Sequence, residues 1–215
     1  MSRSRIFLLS PANCSGNRAR MALSERATFD VAVRLRSADG APIGDVFSFM
    51  SGLYFRGKLA YARAFASPPD PASEVSGAGV FIITPNAGLR TPDTPLTVAG
   101  IRSFATADVS IDNPRYRKPL ERSARAIEDD VGPECDVVLL GSIASPKYVD
   151  VLVGIFGGRL LFPSEFVGRG DMSRGGLLLR SVTAGEELRY IPVAGAVRHG
   201  RRPPKLSPID KVQIR

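Results

Sequence analysis

The chain has 215 residues, 44% of them hydrophobic and 23% charged, with a formal net charge of +8. Such a composition can bury a sizeable core, which excludes a disordered, collagen-like or coiled-coil protein. Every apolar run stops short of the roughly 18 residues a membrane-spanning helix requires, and two distant cysteines, Cys14 and Cys135, make neither a disulfide framework nor a metal-binding spacing.

The basic opening of the chain, residues 1–5, resembles the start of a signal peptide, but the apolar stretch after it, residues 6–9, is too short for an h-region. The expectation is a soluble, cytoplasmic protein with no membrane partner. Residues 5–10 (RIFLLS), closed by Pro11, read as a buried first strand. A turn-rich loop follows, with Asn17 placed to cap a helix from Arg18. Residues 29–35 have apolar positions at helical spacing, and residues 43–65 read as one or two helices interrupted near Ser51-Gly52. Residues 67–79 form a surface loop rich in Pro, Ser, Asp and Gly.

A second strand is expected at 79–84 (GVFIIT), then a long loop over 85–95, a short helix over 98–104 and an amphipathic helix over 114–130. Residues 135–140 (CDVVLL) give the third strand, 146–156 a helix with Pro in its first turn, and 159–162 a fourth strand. A Gly-rich loop to Gly170, a helix over 172–182 and a fifth strand over 188–193 complete the pattern. Apolar strands separated by helices predict a single α/β domain, a three-layer sandwich around a mainly parallel sheet of four to five strands. The domain is expected to span 1–197, with 198–215 a basic, extended tail.

That tail holds six of the cations, Arg198, Arg201, Arg202, Lys205, Lys211 and Arg215, against Asp210. The body before it is only mildly basic. The tail would suit a protein or RNA partner. The single histidine, His199, lies in this Pro- and Arg-rich segment, a poor setting for a rigid general base. Any enzyme here is therefore His-independent, and no metal site or cofactor is expected.

Ligands in an open parallel sheet bind beyond the carboxyl ends of the strands. The loops there offer Ser10, Asn13 and Ser15 after the first strand, Asn86 and Gly88 after the second, and Ser142 and Tyr148 after the third. After the fourth come Ser164, Arg169 and Arg174. Small residues admit a phosphate to backbone amides, so a nucleotide or nucleobase pocket is one reading and ordinary turn chemistry the other. Neither a Walker A nor a G-x-G-x-x-G sequence is present. A second dense segment interleaves Tyr54, Arg56 and Lys58 with Phe55, Tyr61 and Arg63. Rings stacking on bases and cations meeting phosphates would suit unpaired nucleic acid. The alternative is an amphipathic helix with Phe55, Leu59 and Ala62 inward and Arg56 and Lys58 solvated. The candidate acids and bases are Asp93, Glu165 and Asp171, the last also a natural helix N-cap. Cys14 beside Arg18 is a weaker nucleophile candidate.

Four segments carry a resemblance. Leu8-Leu9-Ser10-Pro11-Ala12, Gly88-Leu89-Arg90-Thr91-Pro92-Asp93, Ser142-Ile143-Ala144-Ser145-Pro146-Lys147-Tyr148 and Gly168-Arg169-Gly170-Asp171-Met172-Ser173-Arg174 occur in that order. They resemble the colinear motifs of the YaaA-type peroxide-stress proteins. Phe162-Pro163-Ser164 is more distantly similar to the His-Pro-Ser loop of uracil-DNA glycosylases. The resemblance implies a DNA-facing α/β protein in stress handling. Two functions stand as expectations: a nucleic-acid-associated protein, and an enzyme acting on a nucleotide or nucleobase, cleaving or transferring at an N-glycosidic bond with a carboxylate as base.

Overall fold

A computed structural model describes residues 3–144, 146–197, 200, 201, 203, 204 and 206. Four strands run parallel at its centre: β1 (Arg5–Leu9), β3 (Val80–Ile83), β6 (Asp136–Leu140) and β7 (Leu160–Pro163). Their near-unbroken apolar runs (RIFLL, VFII, DVVLL, LLFP) suit strands whose two faces are both covered. Leu8 lies opposite Phe81 on one side and Leu139 on the other, all three inaccessible or nearly so.

Two short antiparallel strands close the margins, β4 (Leu89–Arg90) beside β3 and β8 (Tyr190–Pro192) beside β7. The order is β4-β3-β1-β6-β7-β8. A separate two-stranded sheet pairs β2 (Ala41–Pro42) with β5 (Pro95–Leu96). The main sheet thus has six strands where four to five were expected. The addition is β4, two residues long and set by a reversal at Gly88 (φ +73°) inside the predicted 85–95 loop. Thr84 fixes that reversal: its hydroxyl donates to the Gly88 carbonyl at 2.7 Å and accepts from the Ala87 amide at 2.9 Å.

Eight α-helices occur among the described residues. α1 (Asn17–Ala22) starts one residue earlier than predicted, with Gly16 as its cap. Asn17 is the first helical residue instead, and its side-chain oxygen accepts from Arg20. α2 (Asp30–Arg36) leads to α3 (Ile43–Ser51) and α4 (Leu53–Phe65). The break between the last two falls at Gly52, whose φ of +58° and ψ of −132° suit a residue without Cβ. α5 (Val98–Thr106) is capped by Thr97, and α6 (Pro114–Val131) by Asn113. α6 buries Tyr116, Leu120, Ala124, Ile127 and Val131, one stripe at helical spacing. α7 (Pro146–Phe156) and α8 (Asp171–Ala184) complete the set, with short 3-10 turns at Gly157–Arg159 and Ser164–Phe166.

α4 packs along α8, and α6 along α7. The α4–α8 crossing is backbone against backbone: a Cβ on Gly57 would stand 2.7 Å from the Gly175 carbonyl oxygen, and one on Gly175 2.8 Å from that of Leu53. At the amino end of the sheet, Arg5 pairs with Glu187 and lies 4.9 Å from the Tyr190 ring centroid. The Tyr61 and Tyr190 hydroxyls share a 2.5 Å hydrogen bond there. This cluster fastens β8 to the chain around β1.

β1 connects to β3 on one side, and the chain then crosses to β6 on β1's other side. The direction of winding therefore reverses between β1 and β6, and their carboxyl ends flank the crevice where such sheets take ligands. Of the predicted tail, residues 198, 199, 202, 205 and 207–215 lie outside the described residues. The described part runs past the loop before α8, where Arg169 donates to the Pro204 carbonyl at 3.3 Å.

Candidate functional site

The reversal point is built from Ser10, the first residue after β1, and Gly141, the first after β6. The Ser10 amide donates to the Leu140 carbonyl at 3.1 Å, which holds the two chain ends side by side. Gly141 has no room for a side chain: a Cβ would lie 2.8 Å from the Ser10 Cβ and 3.0 Å from the Tyr148 hydroxyl. Small residues here are thus a packing requirement that brings Ser10 and Tyr148 together.

Into this point α4 delivers Lys58. Its ammonium nitrogen is 2.6 Å from the Ser10 carbonyl oxygen and 2.9 Å from the Ser10 Oγ. Tyr54 and Phe55 wall it in, each ring centroid 4.7 Å from Nζ. Lys58 is 2% exposed and makes no ion pair with any described residue. A buried lysine without a carboxylate partner loses its proton readily. Burial lowers its pKa to about 7; the negative charge of Asp171 opposes the fall and the positive charge of Arg174 adds to it.

Around the pair stand two phenols and an arginine. The Tyr148 hydroxyl donates to the Ser142 carbonyl at 2.8 Å. Burial raises its pKa, and the adjacent Ser10 side chain opposes the rise. The Tyr54 hydroxyl is buried with no atom of the described residues in hydrogen-bonding geometry, although Arg174 is close enough to favour its ionised form against the dominant effect of burial. Arg174 donates twice to the Phe166 carbonyl, at 3.2 and 3.1 Å, and lies over the Phe166 ring. It also pairs with Asp171 at 3.5 Å.

The structure therefore assembles Ser10, Lys58, Tyr54, Ser142, Tyr148 and Arg174, with Asp171 at the rim. The other predicted residues go elsewhere. Asn13 and Ser15 are exposed and bonded to each other in a local turn. Arg56 points outward, into a different groove with Arg18. Gly88 serves the β3–β4 reversal, and Asn86 donates to Ser103. Ser164 and Arg169 organise the loop before α8, the first on the Glu165 side chain and the second on the Glu165 carbonyl.

The carboxylates are not gathered into the cluster. Asp93 is exposed and pairs with Arg63, more than a turn beyond Lys58 on α4. Glu165 accepts from Ser164 and from the Arg189 amide. Asp171 is the first residue of α8, with Gly170 as the cap in its place. Cys14 is buried, which pushes its thiol up to about 12 and keeps it out of thiolate chemistry.

Two features escape a reading of the sequence. Lys58 is buried although its charge suggests a solvated position, because it stands three or four residues from Tyr54, Phe55, Tyr61 and Ala62 and so shares their buried face of α4. Tyr116, on α6, is 1% exposed and its hydroxyl has no hydrogen-bond partner among the described residues. Its place in the apolar stripe of α6 marks the burial, while no signal short of the tertiary fold marks the unpaired hydroxyl.

Comparison with known proteins identifies no relative. No family model, curated protein or solved structure matches the chain. The function is therefore argued from the cluster itself.

Proposed function

We propose that the protein is a hydrolase or transferase that uses the Ser10 hydroxyl as nucleophile and Lys58 as its base, acting on a nucleotide-type substrate. The observation that supports this reading is the 2.9 Å contact between the two side chains at the reversal point of the sheet. Ser10 keeps 9% of its surface open and Lys58 only 2%, so the serine is the group that meets a substrate and the lysine acts through it. With a pKa near 7, Lys58 is substantially neutral at neutral pH and able to take the hydroxyl proton.

In this reading the Ser10 Oγ attacks an acyl or phosphoryl centre while Lys58 accepts its proton. The leaving group departs with that proton, and water or a second acceptor resolves the covalent intermediate by the reverse relay. Lysine here takes the part first expected of a carboxylate. Right-handed crossovers would set the α4–α8 pair on one face of the sheet and the α6–α7 pair on the other, the three-layer arrangement expected of this strand and helix order.

The nucleotide class rests on the net charge of +8 and on the place of the cluster in the sheet. A nucleic-acid partner is supported by the same charge, most of it in residues 198–215. The Tyr54–Arg63 segment no longer supports it, since Tyr54, Phe55, Lys58 and Tyr61 are all buried.

A fluorophosphonate probe tests the nucleophile without knowledge of the substrate. Peptide mapping is expected to place the adduct on Ser10, with labelling that rises through pH 7 and disappears in Ser10→Ala and Lys58→Met. Absence of a Ser10 adduct in folded protein over pH 6 to 9 would refute the assignment. Thermal-shift comparison of nucleosides with nucleotides then tests the substrate class.

A further inference from the structure

α6 turns an apolar stripe to the core and a row of cations to solvent. Arg115, Lys118, Arg122 and Arg125 follow one another at intervals of three and four residues, which gathers them on one face, within an arc of about 80° opposite the buried stripe. At about 1.5 Å per residue the row is about 15 Å long. All four residues are exposed, and no side chain among them makes an ion pair or hydrogen bond with any described residue. Three acids of the helix are engaged elsewhere: Glu121 on Arg117, Glu128 on Arg159, and Asp130 on the Ser73 and Ser76 hydroxyls. Asp108 and Asp112 precede the helix, and Asp129 closes the row at its far end.

This pattern does not serve the helix. Neighbours in the row are like charges three or four residues apart, a placement that destabilises helices. The charges also run against the helix dipole: the first turn holds no acid, the last turn no base, and the cations precede the acids. A row kept against both effects is accounted for by a polyanion that neutralises it. The chemistry of the face narrows the choice. None of the large exposed hydrophobic residues belongs to α6, and its apolar stripe is buried in the core, so the helix has nothing to sink into a lipid surface. Its one ring, Tyr116, is buried, which leaves no platform on which the bases of a single strand could stack. Cations in a row without rings fit the backbone of a duplex, where phosphate contacts give affinity without reading sequence.

We propose that the outward face of α6 is a docking surface for duplex nucleic acid, with Arg115, Lys118, Arg122 and Arg125 on the phosphates of the backbone. The inference rests on the nucleic-acid reading of the net charge and gives that partner a seat in the folded body, apart from residues 198–215. It is independent of the chemistry at Ser10.

Fluorescence anisotropy of the full-length protein with a labelled DNA duplex of about 20 base pairs, at salt from about 50 to 200 mM, tests it. The combined substitution Lys118→Gln, Arg122→Gln and Arg125→Gln is expected to weaken binding by about 10-fold or more at the lower salt, and to reduce the log–log salt slope by about 2 to 3. The same loss of charge at exposed cations of other segments, Arg26→Gln, Arg56→Gln and Arg189→Gln, should change the affinity by less than about 3-fold. Because the row opposes its own helix, the α6 variant should melt no lower than wild type. Wild-type binding that the α6 variant retains in full, or that the control variant loses equally, would refute the α6 surface and leave the nucleic-acid reading standing. No binding of wild type to the duplex at the lower salt would refute both. Equal or tighter binding of a single strand of the same length, or of poly-glutamate, would overturn the assignment to a duplex, and a lower melting temperature in the α6 variant would show that the row serves the fold instead.

Discussion

Replacing Lys58 with methionine isolates the buried amine, because the two side chains have similar length and only one carries a proton. In the folded chain burial lowers the lysine pKa from 10.5 to about 7. The unfolded chain therefore holds a proton that the folded chain has released, and stability rises with pH between those two values. Over that interval the slope is about 1.4 kcal/mol per pH unit. Allowing for partial titration near the lower value, wild type should gain about 2 kcal/mol from pH 7 to pH 9 relative to Lys58→Met. Below about pH 6 both states are protonated and the difference between the two proteins should be flat. Urea unfolding followed by circular dichroism at unit pH intervals measures this, with the variant supplying the background from every other group. Parallel stability curves from pH 7 to 9 would show that Lys58 titrates as it does in water. It would then carry a full charge at neutral pH, and its role as base for Ser10 would fall with it.

Gly57→Ala should destabilise by about 1–3 kcal/mol, since its Cβ meets backbone of α8 at 2.7 Å and neither helix can yield locally; denaturant midpoints of this variant and of an exposed control, Ala72→Gly, measure the difference. In Ser123→Ala the Leu89 amide loses its acceptor and the Pro119 carbonyl the second bond it accepts from the hydroxyl, both 2.9 Å away. A cost of about 1–3 kcal/mol is expected, with hydrogen exchange at Leu89 accelerated ahead of the rest of the sheet. Both thiols are buried, with pKa values pushed up to about 12 at Cys14 and about 11 at Cys135. A chromogenic disulfide reagent at pH 8 should therefore find no thiol in native protein and two after unfolding.

The sequence is most legible where one local rule acts alone. Residues 5–9, 80–83 and 136–140 are apolar without interruption, and each became a central parallel strand. The Gly52 break and the Pro114 start of α6 follow from backbone chemistry that no tertiary contact needs to override. Where two elements share a decision, the local pattern fails. Lys58 and Arg56 are alike in charge but stand about 200° apart on α4, so that Lys58 shares the face of Tyr54 and Tyr61 and meets Ser10 only once the helix packs on β1, while Arg56 is left in water. β4 is too short to show a period of two, so it emerges only as the partner of β3. The site divides in the same way. Ser10 and Ser142 were visible as loop residues beyond strand ends, while their meeting with Lys58 depended on strand order. Asp93 sits in a loop of the right composition, yet β4 carries it to Arg63 and away from the crevice.

Both margins of the main sheet are occupied by antiparallel strands of two and three residues, β4 ending in exposed Arg90 and β8 in Pro192. The four inner strands are rich in Val, Ile, Leu and Phe, the composition that adds further strands most readily when an edge is open. A two-residue edge closed by a cation and a three-residue edge closed by an imino acid give an incoming chain almost nothing to extend. Shortening or loosening either cover, for instance by cutting the Arg5–Glu187 and Tyr61–Tyr190 ties that hold β8, would expose β7 and turn a self-limited sheet into a template for polymerisation.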